Sequence, residues 1–342
     1  MSKGKRLWVS GCIIFILFLV NTSFAFDVRS KAAVVIEAST GRVLYGKNPN
    51  LKLPPASTAK LMTAMVVLDR LDINDTVTIS ERATRISPIK ANFVEGERVL
   101  VSTLLKAALI KSANDAAYAL SEAVAGSEER FAELMNHKAV ALGMNDTRFV
   151  NSTGLPEDGQ YITAYDLARM LRHALRYSFI RDVINTQTDM IRTENGRSIF
   201  LKNSNRLLWE DESVMGGKTG YTRDAKHCFV CVSEKGEDAV IVSILGSPSR
   251  ENLWRESEIL ISKGFNILRG VEEPGIFYDR ADYDGLVKKA SYSKKIHKDP
   301  EVKSKKKKIS TKKKIKKRFY ASKKRKSRNP TAKRGDNIAA KG

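Results

Sequence analysis

Three short stretches of the 342-residue chain carry residue types that can make and break acyl bonds. In Ser57-Thr58-Ala59-Lys60 a hydroxyl and an amine stand three positions apart, which on a helix puts them on one face, a turn from each other. A serine at a helix N-terminus keeps its own N–H free for an oxyanion, and a lysine held in an apolar helix loses proton affinity, so it can act as a neutral base. The spacing alone decides little, because Ser-x-x-Lys recurs at Ser2, Ser87, Ser291, Ser304 and Ser310. Only at Ser57 does it open an apolar helical run, and a capping serine followed by a snorkelling lysine accounts for that equally well. The second stretch, Ser112-Ala113-Asn114, falls in a break between two helical patterns. The third, Lys218-Thr219-Gly220, is the only Lys-Thr-Gly in the chain.

Each stretch needs an element to hold it. A strand over Ala33-Val34-Val35-Ile36, a turn at Ser39-Thr40-Gly41 and a strand over Arg42-Val43-Leu44-Tyr45 predict a hairpin. Pro54 and Pro55 end it, and the apolar run from Ser57 to Asp69-Arg70 predicts a helix lying in the core. Further helices are expected over Val101–Ile110, over Asp115–Ala125 stopped by Gly126, over Ser127–Leu142 stopped by Gly143, and after Thr163, with Asp166 completing a cap. Strands return around Lys218, over Cys228–Ser233 and, past a Lys235-Gly236 turn, over Ala239–Leu245, followed by a helix from about Arg250 to Ile267. Strands at both ends with helices between them predict an α+β fold: one antiparallel sheet flanked by helices, with an all-helical subdomain over about residues 80–180.

The net charge of +22 is unevenly spread. Residues 286–342 hold 24 Lys and Arg against three acids, a net of +21. Such a segment cannot bury enough apolar surface to order itself, so a disordered basic tail is expected, joined by a linker over 271–285 to a folded body over 26–270. Residues 26–285 are nearly neutral at −2, a globular composition long enough for its own core. Lys3, Lys5 and Arg6 ahead of the apolar run Leu7–Val20 and the small residues before Phe26 predict a signal peptide over residues 1–25, cut after Ala25. An uncleaved anchor is the alternative, but the 14 positions of the run fall short of the roughly 20 that a spanning helix needs. Val9-Ser10-Gly11-Cys12 looks like a lipoprotein box, yet it precedes the run instead of ending it. Export to the periplasm, or to the outer face of a bacterial cytoplasmic membrane, follows.

Cys228 and Cys231 share a strand, where residues three apart are roughly 10 Å apart on opposite faces. A disulfide needs Cα atoms within about 7 Å, so two packed thiols are expected. His137, His173, His227 and His297 show no ligand-like spacing, so neither a metal nor another cofactor is expected.

Ser-x-x-Lys at a helix start, Ser-x-Asn on a helical loop and Lys-Thr-Gly on a late strand resemble, in that order, the three motifs of the penicillin-recognising serine acyl enzymes. Pro55–Thr63, Leu142-Gly143-Met144, Phe149-Val150-Asn151, Gly154-Leu155-Pro156, Tyr161–Asp166, Asn203–Trp209 and Gly217–Thr222 narrow this. The chain from about Ala32 to Phe265 resembles the low-molecular-weight penicillin-binding proteins, the D-alanyl-D-alanine carboxypeptidases. The resemblance implies Ser57 as the acylated nucleophile, Lys60 as its base, Ser112 as proton relay to the leaving D-alanine and Asn114 as a ligand of the substrate amide. It implies that Lys218, Thr219 and Gly220 hold the terminal carboxylate region, and that the N–H groups of Ser57 and Tyr221 form an oxyanion hole. The implied partners are a peptidoglycan stem peptide ending in D-Ala-D-Ala and β-lactam antibiotics. For Arg206, carboxylate binding and a surface or packing role both stay open. Larger members of that family carry a second β-rich domain and an amphipathic C-terminal helix, whereas here some twenty weakly patterned residues separate the expected catalytic body from the tail, so attachment by such a helix is not expected.

Three other readings compete. A D,D-endopeptidase cutting cross-links uses the same residues. A class A-like β-lactamase needs a deacylating glutamate in a Glu-x-x-Leu-Asn context, and Glu133-Leu134-Met135-Asn136 lacks that spacing. A non-catalytic envelope- or nucleic-acid-binding protein would suit the tail, but export removes it from cytoplasmic DNA. The tail's expected partners are therefore anionic membrane lipids or wall polymers, with a purely solubilising tail as the alternative.

Overall fold

The structure is a computed structural model and describes residues 28–279. The expected signal peptide, the basic tail and residues 280–285 of the expected linker lie outside the described residues. The chain divides into two units, Met1–Ile276 and Phe277–Gly342.

Strand β1 (Ala32–Glu37) turns back into β2 (Val43–Lys47). After a 3-10 turn over Ala56–Ala59 comes helix α1 (Lys60–Leu68), eight of whose nine residues are buried, as an apolar run with little polar surface requires. Next follow β3 (Thr76–Thr78), α2 (Glu81–Arg85), β4 (Arg98–Leu100) and α3 (Val101–Lys106), which runs into a π turn over Ala107–Lys111. Helices α4 (Asn114–Ala125), α5 (Glu128–Ala141), α6 (Ala164–Ala174) and α7 (Ser178–Asn185) complete the helical region. The hairpin β5 (Thr188–Arg192) and β6 (Ser198–Lys202) and the short α8 (Leu207–Glu210) lead to β7 (Val214–Thr222), β8 (Lys226–Lys235), β9 (Asp238–Ser247), α9 (Arg250–Leu268) and β10 (Gly275–Phe277).

The helix ends follow the residues expected to set them. Gly126 takes the left-handed conformation after α4, the Ser127 hydroxyl accepts the Arg130 N–H at the start of α5, and the Thr163 hydroxyl accepts the Asp166 N–H at the start of α6. Asp166 does not complete a reciprocal box. Its carboxylate accepts from the Asp146 N–H at 3.1 Å and the Thr147 hydroxyl at 2.8 Å, tying the preceding turn to the helix.

The main sheet has the order β10-β2-β1-β9-β8-β7, and the pairings β1/β2, β1/β9, β8/β9 and β7/β8 are antiparallel. The β1/β9 pair joins the first strand to the late ones, which closes the sheet between distant parts of the chain. Both faces are covered, so β1 is buried along nearly its whole length instead of alternating. Ala32, Val34, Ile36, Cys228 and Val230 face the core shared with α1, α4 and α6; Ala33, Val35, Phe229 and Cys231 face the core under α9. The two cysteines are thus free thiols on opposite faces. The helical region also carries strand: β3 pairs with β4. These segments are only three residues long, too short for alternation to stand out in the sequence.

Candidate active site

The three motifs meet where β7 crosses the turn that opens α1. Ser57 lies in the 3-10 turn just before that helix, one residue after Ala56, whose backbone is left-handed at φ +48°. Two glycines allow this turn to be clamped. A Cβ on Gly220 of β7 would stand 2.9 Å from the Ser57 nitrogen, and one on Gly154 would stand 1.8 Å from the Ala56 carbonyl oxygen. Any side chain at either place would push the nucleophile out of line.

Lys60 is fully buried, and its Nζ lies 3.0 Å from Ser57 Oγ, 2.7 Å from Asn114 Oδ1 and 2.7 Å from the Thr153 carbonyl oxygen. Burial, and then the charge of Lys218, push its proton affinity well below that of a free lysine; Glu128 and Asp115 oppose them. Once neutral, the amine keeps two N–H donors and gains a lone pair. Asn114 and Thr153 take the two donors, which turns the lone pair toward the Ser57 hydroxyl. That is the arrangement a general base requires.

Ser112 follows the π turn and is itself left-handed at φ +65°. Its Oγ accepts from Lys218 Nζ at 2.9 Å, and Lys218 also donates to the Thr219 carbonyl at 3.0 Å. Lys218 is 1% exposed, and burial lowers its pKa to about 7. The Thr219 hydroxyl is hydrogen-bonded to Ser204. Tyr221 turns its ring outward, 59% exposed and packed at a tilt of 36° against His227, so its backbone is what adjoins the site. Cavities of about 320 and 380 Å3 flank these residues, one over Ser204, Arg206 and Arg250, the other beside Pro54, Gly154 and Thr222. Arg206 is paired with Glu210 at 2.6 Å at the rim of the first.

Ser57, Lys60, Ser112, Asn114, Lys218, Thr219, Gly220 and the Tyr221 backbone are therefore gathered in one place. Four contributors were not singled out from the sequence. Thr153 acts through a carbonyl, which leaves no side-chain signal. Ser204 lies within the Asn203–Trp209 stretch but carries no motif of its own. Asp115 accepts the N–H groups of Ala91, Asn92, Phe93 and Ala116, so it fixes the start of α4 beside Asn114. Glu128 accepts the Ser152 N–H and hydroxyl, which holds the turn carrying Thr153, and burial raises its pKa. Glu133 is exposed on α5. Among the described residues there is no cluster of His, Cys, Asp and Glu that could hold a metal ion.

A two-face-covered antiparallel sheet, a helical region and this Ser-Lys constellation define the serine DD-peptidase fold. The Streptomyces K15 DD-transpeptidase superposes with a TM-score of 0.67 at 28% identity, covering 70% of this chain and 98% of that one. A D-alanyl-D-alanine carboxypeptidase of Mycobacterium tuberculosis H37Rv gives 0.67 at 30% identity, covering 70% and 92%. Residues 19–249 match the peptidase S11 family, D-alanyl-D-alanine carboxypeptidase, and the chain belongs to that family. The D-alanyl-D-alanine carboxypeptidase DacF of Bacillus subtilis (strain 168) is 40% identical over 224 residues, 64% of this chain and 58% of its own length. The D-alanyl-D-alanine endopeptidase of Escherichia coli (strain K12) is 32% identical over 244 residues, 68% of this chain and 78% of its own length. The chain thus spans a little over half the length of the first of these relatives.

Proposed function

We propose that the chain is a serine-type D-Ala-D-Ala carboxypeptidase that removes the terminal D-alanine from peptidoglycan stem pentapeptides, and that penicillins acylate the same oxygen. The observation that carries this reading is the buried Lys60 amine, its proton affinity lowered, 3.0 Å from Ser57 Oγ. Lys60 takes the serine proton as Oγ attacks the penultimate carbonyl. The N–H groups of Ser57 and Tyr221 receive the oxyanion, where losing one such donor costs about 10² to 10³ in rate. Lys218, Thr219 and Ser204 hold the terminal carboxylate by charge and hydroxyl donors. The proton that Lys60 took passes through the hydroxyl of Ser112, itself hydrogen-bonded to Lys218, to the departing amine as the C–N bond breaks, which leaves Lys60 neutral again. Water then attacks the ester carbonyl, Lys60 accepts its proton, and the serine oxygen leaves protonated.

Covalent labelling by a fluorescent penicillin tests the nucleophile: Ser57→Ala abolishes labelling in a protein that still unfolds cooperatively. Labelling that survives the change removes Ser57 from this role. A second reading, D,D-endopeptidase, is favoured by the greater coverage of the endopeptidase relative, 78% of its length against 58% for the first carboxypeptidase. Incubation with pentapeptide monomers and with cross-linked dimers separates them, and dimer cleavage without D-alanine release reverses the assignment.

The leader read in residues 1–25 supports export to the periplasm or to the outer face of the cytoplasmic membrane, with the 286–342 tail held there by anionic lipids or wall polymers. Among the described residues no helix is long and apolar enough to cross a membrane. Each basic residue near an anionic membrane contributes about 1 kcal/mol. Truncation after Gly285 should abolish salt-sensitive sedimentation with envelope fragments, and unchanged sedimentation refutes a tethering tail.

A further inference from the structure

A second concentration of charge lies at the other end of the sheet from Ser57. Ala33 of β1 is level with Ile244, Phe229 and Thr219 across the strands, whereas Glu37 is level with Val240, Ser233 and Val214. The β1–β2 turn therefore emerges at the end remote from Thr219. There a cavity of about 180 Å3 is lined by Ile36, Leu142, Tyr165, Arg169, Arg172 and His173.

The two guanidiniums are fixed by neutral acceptors. Arg172 donates to the Ala38 carbonyl at 2.8 Å and to that of Ser39; Arg169 donates to the Gly143 carbonyl and to the Tyr165 hydroxyl at 2.9 Å, and lies over the Tyr165 ring. Neither forms a salt bridge among the described residues. Nearby cations differ: Arg42 pairs with Glu37, and Lys138 with Asp69. Neither adjoining carboxylate lines the cavity: Glu37 bonds Thr40 and Arg42, and Asp166 bonds Asp146 and Thr147 while attracting Arg169 only through its charge. Each guanidinium has five donors and uses two, so each is held rigid with N–H groups to spare; the Asp166 carboxylate offsets part of the Arg169 charge without bonding to it, and among the described residues Arg172 has no carboxylate partner. His173 registers the result. Burial first, then Arg176, Arg172, Arg169 and Lys138, lower its proton affinity.

We propose that this cavity binds a small phosphate ester. Arg169 and Arg172 donate to the phosphate oxygens, and His173 becomes a further donor once the anion's charge favours its protonation. Paired planar forks suit a group with several equivalent oxygens. The volume is below the roughly 300 to 1,000 Å3 of sites for drug-sized ligands, so a glycerol-phosphate-sized group fits and a nucleotide does not. Ile36 and Leu142 supply an apolar wall for a short substituent. The same chemistry comes from a free or polymer-borne phosphate and from a phospholipid headgroup.

The test follows the imidazole signal of His173, identified by its loss in His173→Gln, in the full chain by NMR. Glycerol phosphate is titrated against sodium chloride of matched ionic strength. Saturable binding raises the His173 pKa by about one unit, as an opposite charge within about 4–6 Å does. Arg172→Gln and, independently, Arg169→Gln abolish the shift while penicillin labelling persists, which shows that the variants are folded. An equal response to chloride, or a shift that both variants retain, overturns the proposal. Sedimentation with phosphatidylglycerol vesicles then decides the source. A tenfold loss of vesicle binding in both variants assigns a lipid headgroup, and no loss assigns a free or polymer-borne phosphate.

Discussion

Lys60 must be uncharged to accept a proton, and its surroundings make it so before substrate arrives. Its pKa lies below the free-lysine value, so the neutral fraction grows as pH rises through that lowered value and is complete before about pH 10.4, where free lysines titrate. The rate of acylation by a penicillin is therefore expected to rise with pH and level off well short of pH 10. In Lys60→Ala the rising limb disappears and the rate falls by about 10² to 10⁴, the usual worth of a positioned base. A limb centred near pH 10 in the wild type would mean that Lys60 is not the base. At this scale the sequence was informative about identity and silent about state. Ser-x-x-Lys named both residues, but the same spacing recurs five times elsewhere. What sets Ser57 apart is the burial of its lysine and the acceptors from Asn114 and Thr153, one of them contributed from 93 residues away.

At the scale of elements, the turn carrying Ser112 and Asn114 owes its position to Asp115. Its carboxylate oxygens accept four N–H groups, from Ala91, Asn92, Phe93 and Ala116, at 2.8 to 3.3 Å. Asp115→Asn turns an amide donor toward donors, at a cost of about 1–3 kcal/mol. Denaturant unfolding should show that loss, and penicillin acylation should slow further as Asn114 drifts from Lys60; unaltered stability would contradict this role. Helices α4, α5 and α6 were legible, because Gly126, Ser127 and Thr163 stop or cap them locally, whereas the short α2, α7 and α8 were not read from the sequence. The π turn before Ser112 was not, since its residues Ala107–Lys111 continue the helical pattern of α3. Nor were the pairs β3/β4 and β5/β6, whose short segments acquire their conformation from a partner.

In the whole molecule, the segment leading into β1 is tied to a part of the chain 227 residues away by Glu256, a fully buried carboxylate on α9 that accepts the Arg29 N–H at 2.7 Å and the Ser30 hydroxyl. Glu256→Ala strands both donors in the interior. A loss of about 2 kcal/mol lowers the thermal midpoint by roughly 4–8 °C in a body of this size, and calorimetry showing no shift would refute the tie. The sequence by itself determined which residues can do chemistry, where the longer capped helices begin and end, and that the +22 charge belongs almost wholly to one terminal segment. These are properties of composition, spacing and local hydrogen bonding, and they need no partner from elsewhere in the chain. Only the tertiary structure decided that Lys60 and Lys218 are both buried and weakly basic, that Thr153 and Ser204 belong beside the motifs, and that Arg169 and Arg172 bond only neutral acceptors and keep N–H groups to spare. Each of those depends on desolvation and on acceptors brought together by β1 pairing with β9 and β7 crossing the Ser57 turn, and such contacts are set by packing between distant segments rather than by neighbours in sequence.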